Sequence, residues 1–536
     1  MSEAAVRDAP IGGVGVFAVE PAVAGDGVRE FELERELRLP RWARAVHADD
    51  LSVRRSRTGA AVRIASLRDL GLKRAAVMLA LWATGASMGC GGSGQEGEYV
   101  ALPASSFAGL KAGMACSATF VGGRPLEGVL VDELGGLPAA ARGAGDPVVD
   151  RARRSVSVAY DPHEPPRVAV HRPGRGCTTL PPGAGPELVT ALPNPEIERS
   201  SGGADRDAWP EGVVRPPDGL AAVVEAAFDG RTYGEGTKTI GVAVVHRGRL
   251  VAERYRQGFG PHTPYRTWSA AKMLTNALVG ILVGRGVLDP EAPAPIPEWA
   301  AGDDPRADIT IAHLLHMSSG LEQKGAGCYA VYFDGADAVR ETVEARLEER
   351  PGSRWSYANR DTLLLGRAMR NALGDDAYWR FPVHDLLDRI GMRSTVLETD
   401  PHGNYVLSSQ VFSTPRDLAR LGLLFLNDGV WKGVRILPAG WVASSTRPAP
   451  ARKRGLRGLF AYGIQGLVGY GAQIWLYDPI PGLFAHRAYS GIGHRGQYVT
   501  IVPSRELVVV RTGLDPEEGD VLWRQDRFFA DLIDSL

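Results

Sequence analysis

No stretch of the 536 residues reaches the roughly 18 consecutive apolar positions that a clear transmembrane helix needs. Neither charge sign is in excess, since 61 Lys+Arg face 62 Asp+Glu. A chain without a basic surplus lacks the usual footprint of a nucleic-acid binder, so no nucleic-acid partner is expected. Cysteine is scarce: four residues are too few to staple a coreless fold. The sequence has no His-Glu-x-x-His and no Cys/His cluster, so neither a metal nor another cofactor is expected. It has no internal repeat, and its 66 glycines and 37 prolines follow no collagen-like period. What is present is 44% hydrophobic residues, enough for a large core and against wholesale disorder. The length, divided by about 150, suggests three or four domains.

One apolar segment looks like a targeting signal. Lys73 and Arg74 precede an apolar run over 75–86, followed by Ser87-Met-Gly-Cys90 and a Gly/Ser-rich tail. A basic start, a short apolar stretch and small residues mark a secretory signal. Cys90 after Gly89 resembles the lipid-bearing cysteine of bacterial lipoproteins, although Ser87 and Met88 replace the usual Leu and small residue. The expectation is an exported, envelope or periplasmic protein with a lipid anchor at Cys90. An ordinary buried helix over 73–90 is the plainer alternative. Residues 1–72 are expected to be either a start assigned too early, with Val62, Leu67 or Leu70 marking the true one, or a poorly structured extension. The first account is preferred.

Residues 91–104 form a linker. The segment 105–215 predicts a small α/β unit, with a helix over 109–116 and strands at 156–160 and 168–171, followed by a Pro/Gly-rich connector. Cys116 and Cys177 in this unit could pair in an oxidising compartment or remain two buried thiols. Cys328 is left over. The main domain spans 216–536. Its β-rich runs at 239–246 and 250–255 predict one hairpin, and those at 497–502 and 507–511 predict another. Between them, 268–288 reads as a buried helix and 305–425 as mainly helical. Residues 521–536 predict a closing amphipathic helix. Strands at both ends with helices between imply an α+β fold: an antiparallel sheet flanked by helices, with an inserted helical subdomain.

Three short elements can carry chemistry. Ser269 and Lys272 lie three apart at the start of the apolar helix, on one face and within reach of each other. A serine hydroxyl is a weak nucleophile, and a partly buried lysine that loses its proton can activate it. The ordinary alternative is a capping serine with a snorkelling lysine. Tyr357 and Asn359 form a Tyr-x-Asn element; a tyrosine near a lysine can pass a proton, and an asparagine can hold the lysine and a substrate amide. Alone, that element is usually a turn. His494-Arg495-Gly496-Gln497 follows two glycines and leads into a strand, where a backbone edge can approach a ligand closely. A Gly-rich turn is the ordinary reading there.

Taken in order, Ser-x-x-Lys, Tyr-x-Asn and a basic-x-Gly element before a strand resemble the serine β-lactamase and penicillin-binding superfamily. Ser269 lies 88 residues before Tyr357, which lies 137 before His494. These spacings are similar to those of the class C and D,D-peptidase branch. The runs 309–321, 412–424 and 427–431 resemble it too, and the likeness covers roughly 216–536. Within that branch the chain looks most like 6-aminohexanoate-dimer hydrolases and esterases. The resemblance implies an acylated nucleophile at Ser269, a base at Lys272, a proton shuttle at Tyr357 and a supporting donor at Asn359. It places His494 at the family's basic position and gives the oxyanion hole to the backbone N–H groups of Ser269 and Gln497. The implied substrate is a small or peptide-like amide or ester; a D,D-carboxypeptidase or β-lactamase is the alternative within enzymes. The third element is His-Arg-Gly rather than Lys-Thr-Gly, which leaves Arg495 to take a substrate carboxylate. A binding protein of the same fold is the reading from another class.

Overall fold

The computed structural model describes residues 103–193, 196–197, 209, 217–322, 331–449, 467–479, 485–517 and 521–536, together with two short strands nearer the N-terminus. The expected signal segment 73–90 with Cys90, linker residues 91–102 and Cys328 lie outside them. The chain divides into two units, 1–85 and 86–536. In the first, β1 (Val53–Arg55) and β2 (Val62–Ile64) pair antiparallel.

The second unit opens with α1 (Ala104–Cys116), whose small residues let it pack closely on its surroundings. A four-stranded antiparallel meander follows in sequence order: β3 (Val148–Asp150), β4 (Ser155–Val158), β5 (Arg167–Arg172) and β6 (Gly176–Thr179). The outer strands β3 and β6 were not anticipated from sequence. Cys116, at the end of α1, and Cys177, in β6, form a disulfide.

A seven-stranded antiparallel sheet organises the rest. The helix α2 (Asp218–Ala226) leads into β7 (Thr239–His246) and β8 (Arg249–Tyr255). The chain returns to the sheet much later as β9 (Leu467–Tyr470), β10 (Trp475–Tyr477), β11 (Ala488–Gly493), β12 (Gln497–Val502) and β13 (Leu507–Gly513). The strand order is β9-β10-β11-β12-β13-β7-β8. The first and last parts of the domain therefore meet at the β13–β7 pair, where Val508 faces Val245 and Val510 faces Ala243. Period-two alternation splits the strands between two cores. Ala243, Val245, Val499, Ile501, Val508 and Val510 pack with α3 (Ala271–Gly284) and α5 (Pro415–Leu426). Val242, Val244, Tyr498 and Val509 pack with α2 and the closing helix α6 (Gln525–Asp534). The helix α4 (Asn359–Leu373) lies in the intervening helical part. This is the α+β arrangement expected from the order of elements. The helix expected over 268–288 ends at Gly284, and the closing helix starts at Gln525 rather than 521.

The N-terminal meander is joined to the larger part by buried polar contacts. Arg167 in β5 reaches Asp334 at 2.9 Å and the carbonyl of Phe333 at 3.0 Å. Glu398 accepts hydrogen bonds from Ser117 Oγ at 2.7 Å and from the Cys177 N–H at 2.8 Å. Burial pushes the Glu398 carboxyl up to about 7, and the hydrogen bonds from Ser117 and Cys177 only partly oppose this. In the unfolded chain the same group releases its proton near 4.5. Its contribution to stability is therefore intact below that value and is lost as pH rises toward about 7. Glu398→Gln, which keeps an acceptor oxygen, is expected to raise the thermal midpoint relative to wild type more at pH 8 than at pH 5. An equal difference at both pH values would show that the carboxyl titrates normally.

Candidate active site

The site is assembled where α3 begins. Tyr265-Arg266 pairs with the strand at 411–413, and the Thr267 N–H and hydroxyl both donate to the Val411 carbonyl. This anchors the chain just before Ser269. Trp268 takes a left-handed backbone conformation, φ 49°, uncommon for a bulky residue. Arg266 covers one part of its ring at 4.0 Å, and His494 meets it edge-on at 5.1 Å. A single 3₁₀ turn, Trp268–Ala270, then carries Ser269 into α3.

Lys272, one turn on, is 1% exposed. Its Nζ donates to Ser269 Oγ at 3.1 Å, Asn359 Oδ1 at 2.6 Å and the Ser408 carbonyl at 2.9 Å. A lysine ammonium has three donors and no acceptor, so the amide oxygen of Asn359 must face it. Toward Lys272, Asn359 therefore acts as an acceptor. The Tyr357 ring centroid lies 5.1 Å from Nζ. That ring stacks on Trp475 at 5.3 Å and meets Tyr470 edge-on at 5.6 Å, so the β9–β10 hairpin fixes its plane. The structure therefore gathers Ser269, Lys272, Tyr357 and Asn359 in one place from two segments far apart in sequence.

The third element is used differently from the expectation. His494, Arg495 and Gly496 form the turn between β11 and β12. The His494 Nε2 lies 3.1 Å from a Glu517 carboxylate oxygen. Burial raises the Glu517 carboxyl, but His494, Arg495 and Arg266 outweigh it and hold the group below its ordinary value. Arg495 is buried, and its guanidinium donates to the carbonyls of Asp515 at 3.0 Å, Glu133 at 2.7 Å and Asp132 at 3.2 Å. It is a strut between the hairpin and the helical stretch Leu130–Leu134 that precedes the N-terminal meander, not a side chain available to a substrate carboxylate. The Gln497 amide is fully buried and donates to the carbonyls of Gly513, Arg495 and His494. Gly496, φ 86°, has no room for a side chain, because a Cβ would lie 1.9 Å from Arg511 Nη1. These residues brace the hairpin.

The close approach to Ser269 comes instead from the end of β11. A Cβ on Gly493 would sit 2.2 Å from the Thr267 carbonyl and 3.0 Å from the Ala270 nitrogen, and one on Gly491 would sit 3.2 Å from Met273 Cβ. The partner strand β10 ends at the Trp475–Ser490 pair, so Gly491–Gly493 runs on beyond it. The alternating glycines at 491 and 493 were the sequence signal for this contact. Ser408 left none, because its carbonyl rather than its side chain meets Lys272. Gly493→Ala is expected to push β11 off the Ser269 turn and lower kcat/KM on a p-nitrophenyl ester by about 10²-fold. Its circular dichroism should be unchanged, and near-wild-type activity would show that the strand edge plays no part.

Comparison with known proteins identifies the family. Residues 224–528 match the family model described as Beta-lactamase. The 6-aminohexanoate-dimer hydrolase of Paenarthrobacter ureafaciens is 26% identical over 314 residues, covering 54% of this chain and 76% of that protein. Among solved structures, a penicillin-binding protein homolog from Caulobacter crescentus aligns with TM-score 0.46 and 19% identity, over 60% of this chain and 99% of its own. A family VIII carboxylesterase aligns with TM-score 0.47 and 17% identity, over 59% of this chain and 97% of its own. Because the family match runs through more than half of the sequence and encloses Ser269, Lys272 and Tyr357, the chain belongs to the Beta-lactamase family of serine hydrolases.

Proposed function

We propose that the protein cleaves an amide or ester through an acyl-enzyme on Ser269. The observation that carries this reading is the Lys272 Nζ to Ser269 Oγ contact at 3.1 Å, with Asn359 and Ser408 on the amine's other sides. As a neutral amine, Lys272 keeps two N–H groups for Asn359 Oδ1 and the Ser408 carbonyl. Its lone pair then points at the Ser269 hydroxyl and takes that proton as Oγ attacks the substrate carbonyl. The backbone N–H of Ser269 and an N–H on the β11 edge at 491–493 receive the developing oxyanion. Tyr357 passes a proton to the leaving group, and water then hydrolyses the acyl-enzyme by the reverse path. With Arg495 committed to backbone carbonyls, this reading favours esters and amides without a carboxylate anchor over β-lactams and D-Ala peptides. Intact-mass analysis of the full chain with a fluorophosphonate probe and with a penicillin tests it. The expected result is a probe adduct, absent in Ser269→Ala and slowed about 10²- to 10⁴-fold in Lys272→Ala, with no lasting penicillin adduct. No adduct with either reagent on folded protein would return the chain to a binding role.

The proposal extends to an exported protein lipidated at Cys90. The Cys116–Cys177 disulfide supports it, since such bonds persist in oxidising compartments. Metabolic labelling with an alkyne fatty acid is expected to mark the wild type and not Cys90→Ala; equal labelling of both would remove Cys90 as the attachment point.

A further inference from the structure

The amine of Lys272 is aimed partly by the Ser408 carbonyl, and Ser408 sits in a loop that is itself held from outside the site. Ser408 Oγ and Tyr332 Oη lie 2.6 Å apart, and both residues are buried. The Tyr332 carbonyl accepts from Gln410 Nε2 at 3.4 Å, so Tyr332 meets this loop twice. The next carbonyl, of Phe333, is capped by the N-terminal meander. Arg167 donates to it, and α1 presses on it so closely that a Cβ on Gly109 would lie 1.8 Å away. Asp334 is held by Arg167 and by Ser106 of α1. The other end of the loop is held by Glu398. Its carbonyl accepts from the Val406 N–H and its own N–H donates to the Gln410 carbonyl, both at 3.0 Å. The Glu398 carboxylate accepts from Ser117 and Cys177. One of these donors adjoins the disulfide and the other belongs to it.

We infer that Tyr332 is a positioning residue for Lys272, acting through Ser408, and that the disulfide-linked N-terminal meander holds Tyr332 and the Ser408 loop in place. The inference rests on Lys272 being the base for Ser269. The meander is then a working part of the lysine site, not a separate appendage. Tyr357 is the titratable side chain that faces the amine, while Arg172 and Arg266 face Glu398. Loss of the Tyr332 hydroxyl lets the Ser408 carbonyl turn, so the amine is no longer directed at Oγ in its neutral form.

The test is the rate of fluorophosphonate labelling of Ser269 in the full chain as a function of pH. Tyr332→Phe is expected to slow labelling about tenfold and to move the midpoint of the pH–rate profile by at least about half a unit. Ser408→Ala should do the same, and it carries the test if Tyr332→Phe does not fold. Because the two act as one unit, the double variant should be no more displaced than either single one. At pH 8, Glu398→Ala should lose rate about tenfold while Glu398→Gln, which keeps the acceptor, stays within about twofold of wild type. An unmoved midpoint in the single variants, or shifts that add in the double one, overturns the role of Tyr332. Equal rates for Glu398→Ala and Glu398→Gln overturn the role of the meander. If wild-type protein is not labelled at all, the base assignment falls first and this inference with it; wild-type labelling with unmoved variants sinks the inference alone.

Discussion

The buried amine of Lys272 is the constraint around which the site is arranged. An amine removed from water must have its hydrogen-bonding capacity met, or the fold loses several kcal/mol. Here three oxygens meet it: a serine hydroxyl, an asparagine amide and a backbone carbonyl. All three are neutral. A carboxylate in their place would hold the proton on nitrogen. Neutral acceptors satisfy the amine without doing so, and they remain satisfied by two N–H groups once the third proton has gone. The acceptor set therefore suits both protonation states that the proposed reaction cycle requires.

Holding that amine takes segments from across the fold. Ser269 and Lys272 come from the start of α3, Asn359 from the start of α4, and Ser408 from the loop before the strand at 411–413. The β9–β10 hairpin sets the plane of Tyr357 through Trp475 and Tyr470. The end of β11 closes the last side through glycines that admit direct backbone contact with the Thr267–Ala270 turn. The start of α3 and the end of β11 sit on elements locked by the sheet's cores, so displacing either would have to repack a core, whereas Ser408 depends on the contacts of its loop. The N-terminal meander joins this scheme through Phe333 and Glu398, which tie it to the segments on either side of Ser408 in space.

What could be read from sequence follows the range of the interaction involved. Ser269 and Lys272 were legible because a helix turn brings residues three apart together wherever it occurs. The β7–β8 and β12–β13 hairpins were legible from alternation around short turns, and the α+β order from strands at both chain ends. The strands β9 and β10 were not, since each is four residues or fewer and owes its place to neighbours in the sheet. Ser408 could not be found, because a carbonyl carries no residue signature. The fate of Cys116 and Cys177 stayed open for a related reason: only the packing of α1 against β5 and β6 brings the two together.

Arg495 shows how far a local motif can mislead. A basic residue in a Gly-rich turn reads as exposed and available. Its surroundings come instead from Asp132 and Glu133, more than 360 residues earlier in the chain, and from Asp515 just past β13. Turning the guanidinium toward a substrate carboxylate would leave the buried carbonyls of Asp515 and Glu133 without their donor, at about 1–3 kcal/mol each. One charge-assisted pair returns about 1.5–3 kcal/mol, so the exchange loses in most combinations of these values. The position that resembles a carboxylate anchor is thereby turned inward to hold the helical stretch Leu130–Leu134 against the sheet. In the proposed reaction a substrate is oriented elsewhere, on the β11 edge. That is the physical ground for placing neutral esters and amides ahead of anionic β-lactams.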